Sequence, residues 1–294
     1  MQKRKSVLIT GCSSGIGLCV AQGLQQRGYR VFASARKIAD VARLQELGLE
    51  SLQLDLDDSA SIANALEELL QSSDGKLYGL FNNGAYGQPG AVEDLSREVL
   101  RQQFETNLFG WHELTCRVIP VMRRQGEGRI IQNSSVLGLI ALPYRGAYNA
   151  SKFALEGLTD TLRLELRGSG IQVSLIEPGP IESRFRNNAY KAWQRNIDAD
   201  RSFHRSNYLA MEARLLKEGP TAPFTLPAEA VLKRVFHALE SRHPRPRYYC
   251  HRPHLSVWHT ETTAINPGDG LGSAEGLRRG WPLAGKLKHC CADR

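Results

Sequence analysis

Seven short apolar runs punctuate the chain, and the stretches between them repeat their apolar residues at helical spacing. The runs are Val7–Thr10, Tyr29–Ala33, Ser51–Leu54, Gly79–Phe81, Arg129–Gln132, Ile171–Ile176 and Arg247–Cys250. Each is rich in Val, Ile, Leu or aromatic residues and is bounded by Gly, Pro or Asp, which predicts a strand. Between them, Ile16, Val20 and Leu24 share one helical face up to Gly28, and Ser59 is placed to cap a helix carrying Ile62, Leu66, Leu69 and Leu70. Ala147–Leu166 repeats Leu155, Leu158, Leu162 and Leu166 in the same way. Strand–helix–strand at this rhythm builds right-handed βαβ units, hence a parallel sheet with helices on both faces. Strands buried on both sides read as unbroken apolar runs, as these do. The expected fold is α/β and doubly wound, with the seven runs as strands of one central sheet.

The rhythm covers residues 1–250, expected to form a single domain, and it is broken twice. Residues 182–226 hold Phe185, Tyr190, Trp193, Phe203, Tyr208 and Phe224 among many charges, without a strand signal. They are expected to be an insertion between the sixth strand and a helix starting near Pro227. Scattered aromatics in a long insert suit a mobile lid over an apolar substrate; a plain surface excursion is the alternative. Residues 251–294 lose the periodicity and contain the breaker cluster Asn266-Pro267-Gly268-Asp269-Gly270, so an irregular tail is expected there. So abrupt a loss of pattern also suits a shifted reading frame.

A net charge of +8 invites a nucleic-acid reading until it is placed. Residues 1–180 carry 19 Lys and Arg against 19 Asp and Glu, residues 181–250 carry 13 against 7, and residues 251–294 carry 6 against 4. The excess forms no dense basic stripe and accompanies no nucleic-acid motif, so nucleic acid is not an expected partner. Cys12, Cys19, Cys116, Cys250, Cys290 and Cys291 show no CxxC pairing and no matched His spacing. No metal is expected, and reduced thiols in a cytoplasm are. Lys3-Arg4-Lys5 before Val7-Leu8-Ile9 imitates a secretory signal, but the apolar run breaks at once into Thr10-Gly11. No stretch approaches the roughly 18 apolar residues of a membrane span.

Thr10-Gly11-Cys12-Ser13-Ser14-Gly15-Ile16-Gly17 directly follows the first strand and opens the first helix. Glycines there let the backbone turn sharply and approach a pyrophosphate, whose charge then sits at a helix N-terminus with free N–H donors. The context makes this a dinucleotide-binding turn of the Rossmann type, with Gly11, Ser13, Ser14, Gly15, Ile16 and Gly17 as candidate contacts. An NAD site would place an acidic residue at the end of the second strand. This chain has Ser34-Ala35-Arg36-Lys37 instead, two cations and no carboxylate. A guanidinium suits a 2′-phosphate, so Arg36 and Lys37 favour NADP(H) over NAD(H), unless both are plain solvated charges.

Tyr148-Asn149-Ala150-Ser151-Lys152 begins the long third helical pattern. Tyr148 and Lys152, four residues apart, share one helix face. A phenol with a reference pKa of about 10 is a poor acid–base catalyst near neutrality, and an ammonium on the same face would lower it. Thirteen residues upstream of Tyr148, Ser135 follows the fifth strand at the carboxyl edge of the sheet, where it could hydrogen-bond a substrate oxygen. A strand-end turn is the alternative role for Ser135 and the preferred one for Ser134.

Together these residues resemble the short-chain dehydrogenase/reductase superfamily across roughly residues 5–250. The resemblance rests on the turn at 10–17, Asn82-Asn83, Asn107, Ser135, Tyr148-x-x-x-Lys152 and Pro178-Gly179, in that order. It implies a catalytic tetrad of Asn107, Ser135, Tyr148 and Lys152. Tyr148 would be the general acid in carbonyl reduction, Ser135 would position the carbonyl, Lys152 would bind the nicotinamide ribose, and Asn107 would hold a relay water. It also implies cofactor contacts from Asp55, Leu56, Asn83, Gly84, Pro178, Gly179, Ile181 and Ser183. Two departures are visible: Asn82-Asn83-Gly84-Ala85 swaps the family's usual Ala-Gly, and Ser183 stands where a threonine is usual. Ile176-Glu177-Pro178-Gly179-Pro180 and Val31-Phe32-Ala33-Ser34-Ala35-Arg36 look most like the branch of retinol and 17β-hydroxysteroid dehydrogenases and bacterial aldehyde reductases. That implies a lipophilic aldehyde, ketone or alcohol as substrate, and a homodimer or homotetramer formed through helices near 100–124 and 148–167. A regulator that binds NADP(H) without turnover is the competing class, and the complete tetrad argues for the enzyme.

Overall fold

All seven expected strands form, each within a residue or two of its expected bounds: β1 (Ser6–Ile9), β2 (Arg30–Ala35), β3 (Glu50–Gln53), β4 (Gly79–Asn82), β5 (Gly128–Asn133), β6 (Ile171–Glu177) and β7 (Arg247–Tyr249). This computed structural model describes residues 4–250 apart from 220, 221 and 223, so the expected tail at 251–294 lies outside the described residues. The strands are parallel throughout and lie in the order β3-β2-β1-β4-β5-β6-β7. The chain winds outward from β1 to β3, then returns to β4 on the other side of β1. That reversal opens a crevice at the carboxyl ends of β1 and β4, where open parallel sheets hold ligands.

Helices α1 (Gly15–Gln26), α2 (Ile38–Glu46), α3 (Ser59–Ser72), α4 (Arg97–Phe104), α5 (Gly110–Gln125), α6 (Gly146–Glu165), α7 (Phe185–Asn196), α8 (Arg205–Leu216) and α9 (Glu229–Glu240) complete the described unit. Strand alternation sorts the core onto two faces. Val7, Ile9, Val31, Phe81 and Ile176 pack against Val20 and Leu24 of α1, Leu44 of α2 and Val235 of α9. Leu8, Phe32, Leu80, Ile130 and Val173 pack on the opposite face against Leu66 of α3, Leu114 of α5 and Leu155 of α6. Each such side chain contributes about 1.5–3 kcal/mol through burial, and neither face is left to solvent, which is why the runs lack polar alternation. No helix among the described residues is long and apolar enough to cross a membrane.

One expectation needs correction and another is filled in. The cap of α3 is Asp58, whose carboxylate accepts from Ala60 N at 2.8 Å. Ser59 is the first helical residue instead, and its hydroxyl donates to Glu113 at 2.7 Å. A carboxylate caps as well as a hydroxyl and also complements the helix dipole, so the one-residue choice fell the other way. The aromatic insert, expected as an insertion without strands that is either a plain surface excursion or a mobile lid, contains the two regular helices α7 and α8, which neither reading specified. Trp193 stacks on Tyr190 at 5.9 Å and meets Tyr208 edge-on, and these rings bury against Ala91 and Ile197 as a small separate core. The hydroxyl of Tyr208 accepts from Ala91 N at 2.8 Å and donates to Asp94. A bridge between Ile181 and Leu226 closes the base of the insert.

Candidate active site

The turn after β1 is a cradle in which backbone meets backbone. Gly11 has φ +71°, and a Cβ there would stand 2.5 Å from Gly84 Cα. A Cβ on Gly17 would stand 2.3 Å from the Gly11 carbonyl oxygen. No side chain fits either place. Thr10 and Asn83 sew the cradle to β4. The Thr10 hydroxyl oxygen accepts from Asn83 N at 2.8 Å and Gly84 N at 2.9 Å, while Asn83 Nδ2 donates to the carbonyls of Thr10 and Gly11. Ser14, at the N-cap of α1, is extended and makes no side-chain cap, so the first N–H groups of the helix are left to an outside acceptor. These residues fit a dinucleotide pyrophosphate: close-approach glycines, open donors and a helix dipole converge on one place. Ser183 closes the cradle from the far side, its Cβ 3.0 Å from the place a Gly15 Cβ would occupy. Ile16 and Ile181 both pack into the core beneath.

Arg36 and Lys37 stand exposed at the end of β2, with Lys37 as the N-cap of α2. Burial raises the Asp57 carboxyl, opposed by the hydrogen bond from the Thr106 hydroxyl and by the nearby charge of Arg36. A third cation, Arg43 of α2, donates to the carbonyl of Ser13 and pairs with Asp40 at 3.1 Å, so it braces the cradle from the same side. Asp55 is half-buried and accepts from Asp57 N at 3.1 Å. The neighbouring Leu56 is buried, and its carbonyl would meet a Gly110 Cβ at 2.1 Å, so α5 lies directly on this loop.

Tyr148, Lys152, Ser135 and Asn107 are all buried, at 8%, 1%, 8% and 0% exposure. The Lys152 ammonium lies 5.8 Å from the Tyr148 ring centroid and donates to the Asn133 carbonyl at 2.9 Å. Asn133 Nδ2 in turn donates to Asn83 Oδ1 at 2.9 Å, so a hydrogen-bonded chain runs from Thr10 through Asn83 and Asn133 to Lys152. Lys152 also sits 4.2 Å above the Trp111 ring, a cation–π contact. Asn107 falls in a π turn, Glu105–Phe109, between α4 and α5. Its amide clamps the backbone of Tyr86, donating to Tyr86 O at 2.8 Å and accepting from Tyr86 N at 3.2 Å. The Ser135 hydroxyl accepts from Leu137 N at 3.1 Å and faces the Tyr148 phenol. The loop after β6 is held here as well, since Val136 N donates to Pro178 O at 3.0 Å, with Gly179 following.

The electrostatics differ from the expectation that lysine depresses tyrosine. Burial pushes the Tyr148 phenol up to about 12, opposed by the Ser135 hydroxyl and the charge of Arg145. Burial also pushes Lys152 down to about 7, opposed by Glu156. Helical spacing alone omitted desolvation, which acts on both groups and disfavours both charged forms.

The short chain dehydrogenase family profile matches residues 5–194. The chain belongs to that family. The oxidoreductase YbbO of Escherichia coli K12 is 46% identical over 245 residues, covering 83% of this chain and 85% of that protein. Human 17-beta-hydroxysteroid dehydrogenase type 1 is 34% identical, covering 84% of this chain and 77% of its own. Among solved structures, a variant actinorhodin polyketide ketoreductase with NADPH superimposes with a TM-score of 0.69 at 26% identity, over 85% of this chain and 96% of that one. This short chain dehydrogenase is thus an oxidoreductase of the family, with a nicotinamide-binding fold.

Several parts of the site escaped the sequence reading. Thr10 lies in the glycine-rich turn and Asn133 ends the fifth strand, but their side-chain bonds join separate strands and have no local signature. Arg43 and Trp111 sit on ordinary amphipathic helices, and Glu156 gave no signal beyond its spacing of four from Lys152.

Proposed function

We propose that this protein is an NADP(H)-dependent oxidoreductase that interconverts an alcohol and an aldehyde or ketone, with Asn107, Ser135, Tyr148 and Lys152 as its catalytic group. The observation that carries the reading is the convergence of the buried Tyr148–Ser135–Lys152 cluster and the glycine cradle at the sheet's reversal point. The bound nicotinamide would supply or accept the hydride. Ser135 orients the carbonyl oxygen through its hydroxyl, and Tyr148 gives its phenolic proton to that oxygen. A charged Lys152 steadies the phenolate left behind and donates to a ribose hydroxyl, and Asn107 holds the Tyr86 loop at the mouth of the site. Gly11, Ser13, Ser14, Gly15, Ile16 and Gly17 would hold the pyrophosphate, Asp55, Leu56, Asn83 and Gly84 the adenosine side, and Pro178, Gly179, Ile181 and Ser183 the nicotinamide side.

NADP(H) over NAD(H) is supported by Arg36 and Lys37 at the end of β2, where no carboxylate stands. A lipophilic substrate is supported by Phe185 of α7, whose ring meets Tyr148 edge-on at 5.3 Å, and by the hydroxysteroid in the name of the human relative. Residues 1–250 act as the catalytic domain, with 182–226 as the element over the substrate side. Phe109 at the end of the π turn and Phe153 and Leu158 of α6 are exposed. These apolar side chains join two copies, which sedimentation velocity would register as a dimer or tetramer. The free thiols of Cys12, Cys19, Cys116 and Cys250 fit a reducing cytoplasm.

The test is a panel of medium-chain aldehydes, retinal and ketosteroids with NADPH, followed by loss of NADPH absorbance. Turnover of at least one class is expected. Silence across the panel with tight NADPH binding would favour a redox sensor on the same fold.

A further inference from the structure

Helix α6 carries a titratable side chain at every fourth position from the candidate site outward: Tyr148, Lys152, Glu156 and Asp160. Four-residue spacing sets them along one helix face. Tyr148 and Lys152 have proposed roles, but Glu156 has none, and it is nonetheless buried to 6% exposure. A buried carboxylate is destabilising unless it is paired.

One partner is Arg247 of β7. Its guanidinium donates to Glu156 Oε2, to Glu177 Oε1 at 2.7 Å and to Asp160 Oδ2 at 2.5 Å. Asp160 is also bound by Arg163 at 2.6 Å. Burial and the neighbouring Glu156 push the Glu177 carboxyl up to about 7. One guanidinium therefore serves three acidic side chains; the Glu156 and Glu177 carboxyl groups are also close enough to share a proton, and neither Glu156 Oε1 nor Glu177 Oε2 has another partner. On its other side Glu156 abuts the turn Val136–Gly138, which has no titratable group. A Cβ on Gly138 would lie 2.9 Å from Glu156 Cγ, so the glycine lets the Glu156 side chain lie against this turn.

Lys152 has the complementary shortage. Its ammonium meets the Asn133 carbonyl from β5, the Trp111 ring from α5 and the Tyr148 ring on its own helix, and feels the charge of Glu156 one turn further on. Glu156 is the one acidic side chain in that set. A buried ammonium short of counter-charge and a buried carboxylate stand one helical turn apart.

We propose that Glu156 is a positioning residue for Lys152: its carboxylate, anchored by Arg247 against the end of β6, keeps the buried ammonium charged and directed at Asn133 and Tyr148. The inference rests on reading Lys152 as a site residue. A tie between β7 and α6 alone would leave the charge on Lys152 indifferent to Glu156.

The full chain, labelled with 13Cε-lysine, is titrated by NMR, with the Lys152 resonance identified by its absence in Lys152→Met. Glu156→Gln should lower the Lys152 midpoint by about one pH unit, a tenfold weaker hold on the proton, and Glu156→Asp should restore most of it. Glu177→Gln, which leaves the Glu156–Arg247 pair in place, should shift Lys152 far less. An unchanged midpoint in a folded Glu156→Gln, or equal shifts in Glu156→Gln and Glu177→Gln, would overturn the proposal. If Glu156→Gln does not fold, wild-type protein labelled with 13Cδ-glutamate decides: the Glu156 carboxyl carbon must be ionised and must respond as Lys152 titrates, and one that stays protonated overturns it. The underlying site reading is tested apart, since full turnover in Lys152→Met would sink that reading whatever Glu156 does.

Discussion

The cradle at residues 10–17 and the insert at 182–226 are both close-packed, yet they constrain the sequence in opposite ways. In the cradle, Gly11 and Gly17 approach other backbone atoms so closely that a single methyl group has no place. In the insert, Tyr190, Trp193 and Tyr208 pack ring against ring, and many sets of large apolar side chains would fill the same volume. Backbone-to-backbone contact dictates residue type at single positions; side-chain contact dictates only bulk. Function gathers around the first kind of packing here.

Three sets of variants would break or sharpen that contrast. The largest effect is expected at Tyr148, where the backbone cradle meets the proposed chemistry. Tyr148→Phe should lower kcat by about 10²–10⁴-fold while NADPH binding, followed by cofactor fluorescence, stays intact. Retention of a third or more of wild-type kcat in a chemistry-limited assay would remove the phenol from the mechanism. Next comes Arg36→Ala, which should weaken NADP binding by roughly ten- to a hundredfold and leave NAD binding unchanged, because a charge-assisted contact is worth about 1.5–3 kcal/mol. An unaltered ratio of kcat/KM for the two cofactors would make Arg36 a solvated loop charge. The smallest effects test packing directly. Gly17→Ala, with its methyl group driven against the Gly11 carbonyl, should cost about 1–3 kcal/mol in denaturant unfolding. Trp193→Phe in the insert should cost less than about 1.5 kcal/mol, since the buried Trp193 Nε1 has no hydrogen bond to lose. The reverse ranking would erase the distinction between the two regions.

The fold was legible because burial on both faces leaves a periodicity that needs no partner to be seen. Val7–Thr10 and Ile171–Ile176 announce strands by composition alone, and the turn chemistry at Gly11–Gly17 fixes what lies between strand and helix. The four tetrad residues were legible through motif order. Their electrostatics were not: the rise of the Tyr148 phenol and the fall of the Lys152 ammonium come from burial beneath elements distant in sequence. The chain from Thr10 through Asn83 and Asn133 to Lys152 joins four separate stretches, and no spacing rule relates them. In the insert, α7 and α8 escaped notice because their buried faces are narrow and their outer faces strongly polar. Local pattern reads what an element does to itself; the site depends on what elements do to each other.

The π turn at Glu105–Phe109 makes the chain sensitive to counting. An α-helix advances about 100° per residue, and a π turn absorbs one residue that the helical phase would otherwise have to carry. Losing any one residue there would let α4 run straight into α5 and rotate everything after it by about 100° about the helix axis. Trp111 would leave the underside of Lys152, Gly110 would no longer lie against the Leu56 carbonyl, and Asn107 would release the Tyr86 backbone. Substitutions along this stretch are graded by chemistry, whereas a deletion is read as a change of angle. Among natural variants, residue number between Arg97 and Gln125 should therefore be held more tightly than residue identity, and length variation displaced into loops such as Ser73–Lys76.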